Sequence, residues 1–307
     1  MIYVITGATS FVGIELCKLL LSMNNKVYAV SRNRSVNLAF LPIHPNLNVV
    51  FSDLEHIGSL RNVISNADVF VNLAWAGTDH SGRNDVDIHL KNIQYTLDAM
   101  LLAKNMKCSL FVQAGSQAEY GCISDIITES AACAPETEYG KAKLSIWKKG
   151  CSICNDLKMK YLHLRIFSIY GENDHPWTLI MSCIRKMLSN EDVELSHCTQ
   201  KWNFLYVKDA VKQIVLLCNY ALSYDDFKCE IYNIASEDTR ELKDYVEELY
   251  KLTDSKSRLL YGAFSPKFNV SLNPSVTKTK NVIGFISEYS FGDVINCIIS
   301  NQKKGHD

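Results

Sequence analysis

The sequence predicts an α/β protein built on a doubly wound parallel sheet, and two observations lead to that fold class. Short apolar, β-branched runs alternate with longer segments of helical periodicity through the first half of the chain. The first run also passes through a turn containing Gly7 and Gly13 directly into a helix pattern. Because such alternation places helices on both faces of parallel strands, it predicts a sheet covered on both sides.

The predicted elements follow in a regular order. The first strand is a short β-branched run, and Phe11, Ile14 and Leu16 begin the helical spacing of the first helix. The two patterns then repeat, and they predict strands at residues 2–6, 26–31, 47–51, 69–73, 109–114 and 161–166. They predict helices at residues 11–22, 58–65, 88–105 and 139–157. After Gly171 the pattern is irregular, with helices at residues 177–189, 208–222 and 241–252 and short strands between them.

The composition limits the classes of partner. The 307 residues are 47% hydrophobic, enough for a substantial core. Since 33 acidic residues balance 32 basic ones, no charge excess favours nucleic acid or a membrane surface. No apolar run has the length of a membrane span, and the N-terminus enters a strand without a signal-peptide pattern. The expected location is the cytoplasm.

The cysteines predict core packing. Eleven of them are scattered through the predicted helices and strands, which is typical of small buried side chains and not of a disulfide framework. The close pair Cys151 and Cys154 has no second pair at ligand spacing, so we expect no metal site. With Leu144 and Trp147 this pair recurs at helical spacing, as packed residues do.

The first turn has the features of a dinucleotide site. Glycines between a strand and a helix let the backbone approach a pyrophosphate, whose negative charge the helix amides favour. Gly7 would make the turn, and Gly13 would let helix and strand pack closely. The middle glycine of the usual pattern is Ser10 here. A generic strand-to-helix turn is the alternative interpretation.

A second motif supplies candidate catalytic groups. Tyr139 and Lys143 are four residues apart on a predicted helix and share one of its faces, and Ser116 precedes Tyr139 by 23 residues. A close ammonium lowers the pKa of a phenol, which suits the phenol to proton transfer near neutral pH. Alone, the pair could also be a solvated helix face.

The two motifs, at these positions and in this order, resemble the extended short-chain dehydrogenase/reductase family, in particular its nucleotide-sugar epimerase, dehydratase and ketoreductase branch. Further matching segments extend along almost the whole chain: Asp53-Leu54, Asn72-Leu-Ala-Trp-Ala76, Asn92, Leu164-Arg-Ile-Phe-Ser-Ile-Tyr-Gly171, Phe204-Leu-Tyr-Val-Lys-Asp209 and Tyr232-Asn-Ile-Ala235. The resemblance implies a Rossmann-type NAD(P)-binding domain at residues 1–171 plus 204–236. It implies a smaller mixed α/β substrate-binding domain at residues 172–203 plus 237–307.

The resemblance also implies a set of cofactor contacts. They are Gly7, Thr9, Ser10, Phe11, Val12, Gly13, Ser31, Arg32, Arg34, Asp53, Leu54, Leu73, Ala74, Trp75, Asn92, Ala114, Tyr139, Lys143 and Ile166. In such folds an acidic residue at the end of the second strand favours NAD, whereas a basic residue accommodates the 2′-phosphate of NADP. Because this strand end carries Ser31, Arg32 and Arg34 and no carboxylate, NADP(H) is favoured over NAD(H).

The substrate that the resemblance implies is a nucleoside-diphosphate sugar. Its candidate contacts are Trp75, Arg83, Ser116, Gln117, Ser168, Trp177 and Trp202. An aromatic face suits a sugar or base, although core packing is the alternative for each Trp. Trp202 replaces an arginine common in the family. Other candidates to bind the pyrophosphate, each otherwise a surface charge, are Lys201, Arg185, Arg240 and Arg258.

The residues after Ser116 narrow the reaction. Dehydratases of the family carry Asp and Glu at the next two positions, where this chain has Gln117 and Ala118, which cannot transfer protons at neutral pH. Glu119 follows, either to orient a substrate group or to satisfy a local amide. The resemblance then implies NADPH-dependent reduction of the C4 ketone of a 4-keto-6-deoxy sugar, with Tyr139 as proton donor. An NAD-retaining 4-epimerase is one alternative, and a non-catalytic NADP-binding sensor is another.

Family members pair two long helices per subunit, so the resemblance implies a homodimer. One candidate apolar stripe is Ile93, Leu97, Met100 and Leu101, and the other is Leu144, Trp147 and Cys151. Either stripe could instead belong to the core.

Overall fold

The computed structural model describes residues 1–33, 35–79, 81–265 and 270–304. Its strands are β1 (Ile2–Thr6), β2 (Lys26–Ser31), β3 (Leu47–Phe51), β4 (Val69–Asn72), β5 (Leu110–Ser116), β6 (Lys160–Ile166), β7 (Ser168–Tyr170), β8 (Val193–Leu195), β9 (Lys201–Tyr206), β10 (Cys229–Ile234), β11 (Thr239–Glu241) and β12 (Leu259–Tyr261). Its helices are α1 (Phe11–Ser22), α2 (Val86–Asn105), α3 (Glu138–Asp156), α4 (Leu179–Leu188), α5 (Val207–Ser223), α6 (Leu242–Leu252), α7 (Thr277–Ile283) and α8 (Phe291–Lys304).

Most predicted elements are confirmed, two predicted elements differ in type or length, and two helices were not predicted. The predicted helix at residues 58–65 is a short 3-10 helix at Ile57–Asn62. The helices α7 and α8 were not predicted from the sequence. The strand β5 extends two residues beyond its predicted end and finishes at Ser116. That extension matters because it places a candidate catalytic residue on the rigid sheet.

Seven strands form the central sheet, in the order β10-β6-β5-β4-β1-β2-β3. Every pairing between neighbours in this sheet is parallel. The strand order reverses between β1 and β4. In open sheets of this kind, ligands bind in the crevice at such a reversal, outside the carboxyl ends of the strands. The predicted Rossmann-type parallel sheet is confirmed.

The two faces of the sheet bury alternate side chains of each strand, because successive residues of a strand point to opposite faces. Tyr3 and Ile5 of β1 pack in a core shared with α1 and α5. Val4, between them, packs in a second core shared with α2 and α3. Helices therefore cover both faces, as the alternation of patterns predicted.

The C-terminal part of the chain has a core of its own. Helices α4, α6 and α8 pack with a three-stranded sheet in the order β11-β9-β7 and with the strand pair β12-β8. Tyr245 and Phe291 are buried in this core, with ring centroids 4.8 Å apart. This grouping agrees with a smaller mixed α/β unit, whose limits along the chain stay a prediction.

The expectation that the cysteines are free is wrong at one place. Cys151 of α3 and Cys229 of β10 form a disulfide, although 78 residues separate them. Cys154 is free and lies in the core beneath α3. Spacing along the chain carried no sign of the bond, because only the fold brings β10 beside this helix.

Within these described ranges, no helix is both long and apolar enough to cross a bilayer. The same ranges hold no group of three His, Cys, Asp or Glu side chains placed to bind a metal ion.

Candidate active site

The candidate catalytic residues meet at the carboxyl edge of the sheet. Ser116 is the last residue of β5, and Tyr139 and Lys143 lie in the first turns of α3. Helix α3 begins at this point because the Thr137 side chain caps it, accepting from the Gly140 N–H at 3.1 Å. The strand end and the helix start therefore bring the predicted serine, tyrosine and lysine into one crevice.

The Tyr139 phenol is surrounded by aromatic rings and a guanidinium group. The Trp75 and His89 ring centroids lie 6.2 and 5.8 Å from that of Tyr139. The Arg83 guanidinium carbon lies over the phenol ring, 4.6 Å from its centroid. Burial raises the pKa of Tyr139, while a hydrogen bond with the Ser116 side chain and the charge of Arg83 act in the opposite direction.

Lys143 makes its closest contacts with Ala114 and Trp75 and lies farther from the Tyr139 ring, so its predicted effect on the phenol stays a prediction. Its Nζ donates to the Ala114 carbonyl oxygen at 2.7 Å and lies 3.7 Å from the Trp75 ring centroid. The distance from Nζ to the Tyr139 ring centroid is 5.7 Å. Burial lowers the pKa of Lys143 to about 7, although the charge of Glu119 acts to raise it. Of the two cations, Arg83 is the closer to the phenol ring.

A buried histidine fixes the Trp75 ring. The Trp75 Nε1–H donates to His89 Nδ1 at 3.3 Å, and Asn92 Nδ2 lies 3.3 Å from the same nitrogen. Because an indole N–H can only donate, His89 Nδ1 accepts, and the ring proton sits on Nε2. Burial lowers the pKa of His89, which also favours the neutral ring. Sequence reasoning missed His89, and its only signal was the helical spacing to Asn92.

The segment after β4 is held by hydrogen bonds at both ends. It was predicted to contact the cofactor through Leu73, Ala74 and Trp75. Thr6 Oγ1 accepts from the Ala74 N–H at 3.3 Å and donates to Asn72 Oδ1 at 2.6 Å. Asn92 accepts from the Ala76 N–H at 3.0 Å and donates to the Ala76 carbonyl oxygen at 2.9 Å. The crevice wall is thus fixed by the protein itself.

The turn after β1 has the geometry of a phosphate cradle. Gly7 has a φ of +67°, and a Cβ there would lie 2.8 Å from the Ala74 nitrogen. A Cβ on Gly13 would clash with the Gly7 carbonyl oxygen. Ser10, which replaces the usual middle glycine, caps α1 by accepting from the Gly13 N–H at 3.1 Å. The N-terminus of α1, with Thr9, Phe11 and Val12 beside it, therefore fits a dinucleotide pyrophosphate.

The end of β2 carries hydroxyl groups and a guanidinium group. Ser31 Oγ lies 3.2 Å from Thr9 Oγ1, and Arg32 is exposed next to it. Arg34 lies outside the described residues. Asp53, which follows β3, is exposed. The absence of a carboxylate at the end of β2 agrees with the sequence argument on the cofactor, which stays a prediction.

Glu119 lies fully buried beneath Ser116. Its Oε1 accepts from the Ser116 N–H and from His163 Nε2, both at 2.9 Å, and its Oε2 accepts from Arg165 Nε at 2.9 Å. Burial opposes ionisation, but His163 and Arg165 outweigh it and lower the pKa of Glu119 to about 2. The sequence left two roles open for Glu119, orienting a substrate group or satisfying a local amide. In the structure Glu119 satisfies the Ser116 amide and so orients Ser116.

The predicted substrate residues are spread more widely. Trp75, Arg83 and Ser116 lie at Tyr139, and Gln117 directly follows Ser116. Trp177 is 70% exposed and stacks on His175, with ring centroids 4.4 Å apart. The other two candidates are Ser168, which begins β7, and Trp202, which lies in β9.

Two of the candidate pyrophosphate ligands are already paired with carboxylates. Arg240 forms ion pairs with Asp238 and Glu248, at 2.8 and 2.7 Å. Arg258 forms an ion pair with Asp192. Binding of a phosphate by either arginine would compete with these pairs.

The reversal in strand order, the glycine turn and the Ser-Tyr-Lys group together define a Rossmann-type protein of the extended short-chain dehydrogenase/reductase class. Within this class, the chain belongs to the NAD-dependent epimerase/dehydratase family, whose model matches residues 3–235.

Individual relatives are distant but similar in length. The chain is 23% identical to the CDP-abequose synthase of Salmonella muenchen, over 96% of each chain. It is 22% identical to the CDP-abequose synthase of Yersinia pseudotuberculosis, over 80% of this chain and 83% of that one. A structure of UDP-glucuronic acid 4-epimerase from Bacillus cereus, in complex with UDP-glucuronic acid and NAD, matches with a TM-score of 0.86, at 21% identity and over 99% of each chain. This last similarity shows the fold.

Proposed function

We propose that the protein reduces the C4 ketone of a nucleoside-diphosphate 4-keto-6-deoxy sugar with NADPH. The observation that carries the proposal is the crevice in which Ser116 and Tyr139 meet while Gln117 and Ala118 occupy the next two positions. Ser116 and Tyr139 can polarise and protonate a carbonyl oxygen. Gln117 and Ala118 offer no acid and base for dehydration. The similarity to two CDP-abequose synthases supports the same choice.

In this mechanism the protein supplies orientation and a proton. The residues of the proposed cofactor site would hold NADPH, which would supply the hydride for C4 of the sugar and become NADP⁺. Ser116 donates a hydrogen bond to the carbonyl oxygen, and Tyr139 gives that oxygen its proton, so that the ketone becomes an alcohol. Lys143 lies in the same crevice and would bind the nicotinamide ribose. Glu119 orients Ser116 through its amide.

The proposed cofactor site extends from the glycine turn to the end of β2. Gly7, Gly13 and the N-terminus of α1 would hold the pyrophosphate. Ser31 and Arg32 would hold the 2′-phosphate, which is the basis for preferring NADP(H). The remaining contacts proposed from the family resemblance are Leu54, Leu73, Ala74, Asn92, Ala114 and Ile166.

The proposed substrate contacts are taken from the candidates that the family resemblance implied. Trp75 and Gln117 would face the sugar, and Ser168, Trp177 and Trp202 would face the nucleotide. The Trp202 indole nitrogen is buried and has no acceptor among the described residues, so a substrate oxygen would satisfy it.

The test is an NADPH oxidation assay with a panel of keto-sugar nucleotides, in which the stereochemistry of the product is determined. We expect turnover with at least one 4-keto-6-deoxy sugar nucleotide, and faster turnover with NADPH than with NADH. Tyr139→Phe should reduce turnover by at least about 100-fold and leave NADPH binding nearly unchanged, because it removes only the proton donor. Tyr224→Phe, at an exposed tyrosine, is the matched control. Wild-type turnover by Tyr139→Phe would disprove the mechanism.

A 4-epimerase is the alternative, and the similarity to an epimerase fold with bound NAD favours it. An epimerase oxidises and re-reduces the same carbon and keeps its NAD, whereas a reductase must exchange its spent cofactor. Stoichiometric NAD released when the purified protein is denatured would therefore favour the epimerase. Steady NADPH consumption would exclude both the epimerase and a non-catalytic sensor.

A further inference from the structure

The described residues that lead into α2, at 77–79 and 81–85, are held by hydrogen bonds among themselves. The Gly82 N–H donates to Asp79 Oδ1 at 2.8 Å, and the Arg83 N–H donates to the Asp79 carbonyl oxygen at 3.2 Å. Gly77 in the same loop has a φ of +70°, and a Cβ on Gly82 would contact its backbone. Asp85 then caps α2 by accepting from the Ile88 N–H at 2.9 Å. These bonds hold the backbone of Arg83 in place without a ligand.

The same loop is bonded to the start of α3. The Tyr139 N–H donates to the Arg83 carbonyl oxygen at 2.9 Å, and the Glu138 N–H lies 3.4 Å from Asn84 Oδ1. Both are amides of the first helical turn, which have no partner inside a helix. The Arg83 backbone is therefore bonded to Tyr139. The Arg83 guanidinium carbon also lies 4.6 Å from the centroid of the Tyr139 ring.

Among the described residues, three titratable or charged side chains contact the Tyr139 ring, and a fourth, Glu119, acts on it by its charge. Arg83 comes from the loop, His89 from α2, Lys143 from α3 and Glu119 from the turn after β5. His89 is neutral in the tautomer that Trp75 imposes, and Glu119 is an anion. Lys143 loses its proton more readily than an exposed lysine because it is buried. A guanidinium group, by contrast, stays protonated at any pH at which proteins function.

We propose that Arg83 is a positioning residue that stabilises the ionised form of Tyr139 and holds its ring in the crevice. The inference rests on the proposed function in one respect, since it gives Arg83 a role in the reaction only if Tyr139 transfers the proton. A cation over the face of a phenol interacts with the ring, and more strongly with the negative charge of the phenolate. Arg83 thus adds a second cation over the Tyr139 ring, beside Lys143.

The experiment measures the titration of Tyr139 directly, without turnover. The full chain is labelled with 3-fluorotyrosine, whose fluorine lowers the phenol pKa and brings the titration into a range where the fold is stable. The fluorine resonance that disappears in Tyr139→Phe identifies Tyr139. Its titration is then followed in the wild type, Arg83→Met, Arg83→Lys and Lys143→Met. The matched control is Lys141→Met, which removes an exposed charge paired with Glu138 on the same helix.

We expect Arg83→Met to move the Tyr139 midpoint to higher pH by about one unit. Arg83→Lys should restore part of this shift because it keeps the charge but not the planar group. Lys141→Met should leave the midpoint unchanged. An unchanged midpoint in Arg83→Met, or a shift that appears only in Lys143→Met, would overturn the proposal. Because no substrate is involved, this result is separate from any failure of the reductase assay.

Discussion

At the residue scale, Glu119 connects the end of β5 to two buried basic side chains. A buried carboxylate is stable only when its hydrogen-bonding capacity is used, and here Ser116, His163 and Arg165 use it. Gly115 leaves the space for this arrangement, since a Cβ there would lie 2.6 Å from Glu119 Oε1. The position of the Ser116 hydroxyl thus depends on a network below the crevice.

We predict that Glu119→Gln lowers the free energy of unfolding at pH 7 by about 3 kcal/mol, because it leaves His163 and Arg165 without their buried anion. The wild-type carboxyl has a pKa of about 2 when folded, below its ordinary value of 4.5. Its stabilisation is therefore complete above pH 4.5 and is lost as the pH falls towards 2. Urea unfolding at several pH values measures this, and an identical acid slope in the variant would contradict the prediction.

Lys143 shows the opposite effect, because its burial costs stability. With a pKa of about 7 when folded, against an ordinary value of 10.5, the side chain is protonated more readily in the unfolded chain. We predict that Lys143→Met abolishes activity yet raises the free energy of unfolding by about 2 kcal/mol at pH 7. The gain should be largest at and below pH 7 and should shrink as the pH rises towards 10. Thermal unfolding across this range tests the sign, and an equal or lower stability of the variant at pH 7 would contradict it.

At the element scale, α3 is fixed at both its start and its middle. The Tyr139 N–H of its first turn donates to the Arg83 carbonyl oxygen. Cys151 joins a later turn to β10 through the disulfide with Cys229. Gly150 lets the helix approach the sheet, because a Cβ there would meet the Tyr161 side chain at 2.8 Å. The helix that carries Tyr139 is therefore held against β5, β6 and β10. A disulfide is uncommon in the cytoplasm, so this bond stands against the location that the sequence led us to expect, which remains a prediction.

We predict that Cys151→Ser lowers the free energy of unfolding by about 4 kcal/mol, because the bond closes a loop of 78 residues. A reducing agent should lower the melting temperature of the wild type and leave that of Cys151→Ser unchanged. Cys122→Ser, at an exposed free cysteine, is the control and should respond as the wild type does. Equal sensitivity of Cys151→Ser and the wild type to reduction would count against the bond.

At the scale of the whole molecule, the expected dimer surface differs from the one read from the sequence. Met100, assigned to the first apolar stripe, is fully buried in the core. Leu101 of the same predicted stripe is 50% exposed, and Val86 and Leu90, which the sequence analysis did not assign to the stripe, are 52 and 59% exposed on the same helix. On the second stripe Trp147 packs against the Tyr161 ring at 5.9 Å. Several large apolar side chains exposed along one helix are typical of an interface.

We predict that the protein is a homodimer and that Leu90→Glu with Leu101→Glu converts it to a monomer, since charge would enter the paired helices. Sedimentation velocity measures the change. Ile43→Glu, which alters a fully exposed apolar residue outside α2, should leave the dimer intact. A wild-type monomer at micromolar concentration would contradict the prediction.

The sequence alone determined the strand and helix order of the first half of the chain and the motifs at the strand ends. Period-two and period-3.6 patterns are local, so strands such as β1, β2 and β3 were predicted at their observed limits. The glycine turn and the Tyr139–Lys143 pair are also local. The C-terminal part has no regular local pattern, because packing decides its structure. The sequence therefore did not predict α7 or α8.

Tertiary structure decided which side chains meet. Only the fold places the Arg83 guanidinium over the Tyr139 ring and turns the Lys143 ammonium towards Ala114 and Trp75. It also buries Glu119 beneath Ser116 and joins Cys151 to Cys229. Except for the bond between Glu119 and Ser116, these contacts link residues far apart in sequence. The strength of each contact depends on burial, which no local pattern records. The sequence therefore identified the residues of the site, whereas the electrostatics of the site depend on the folded packing.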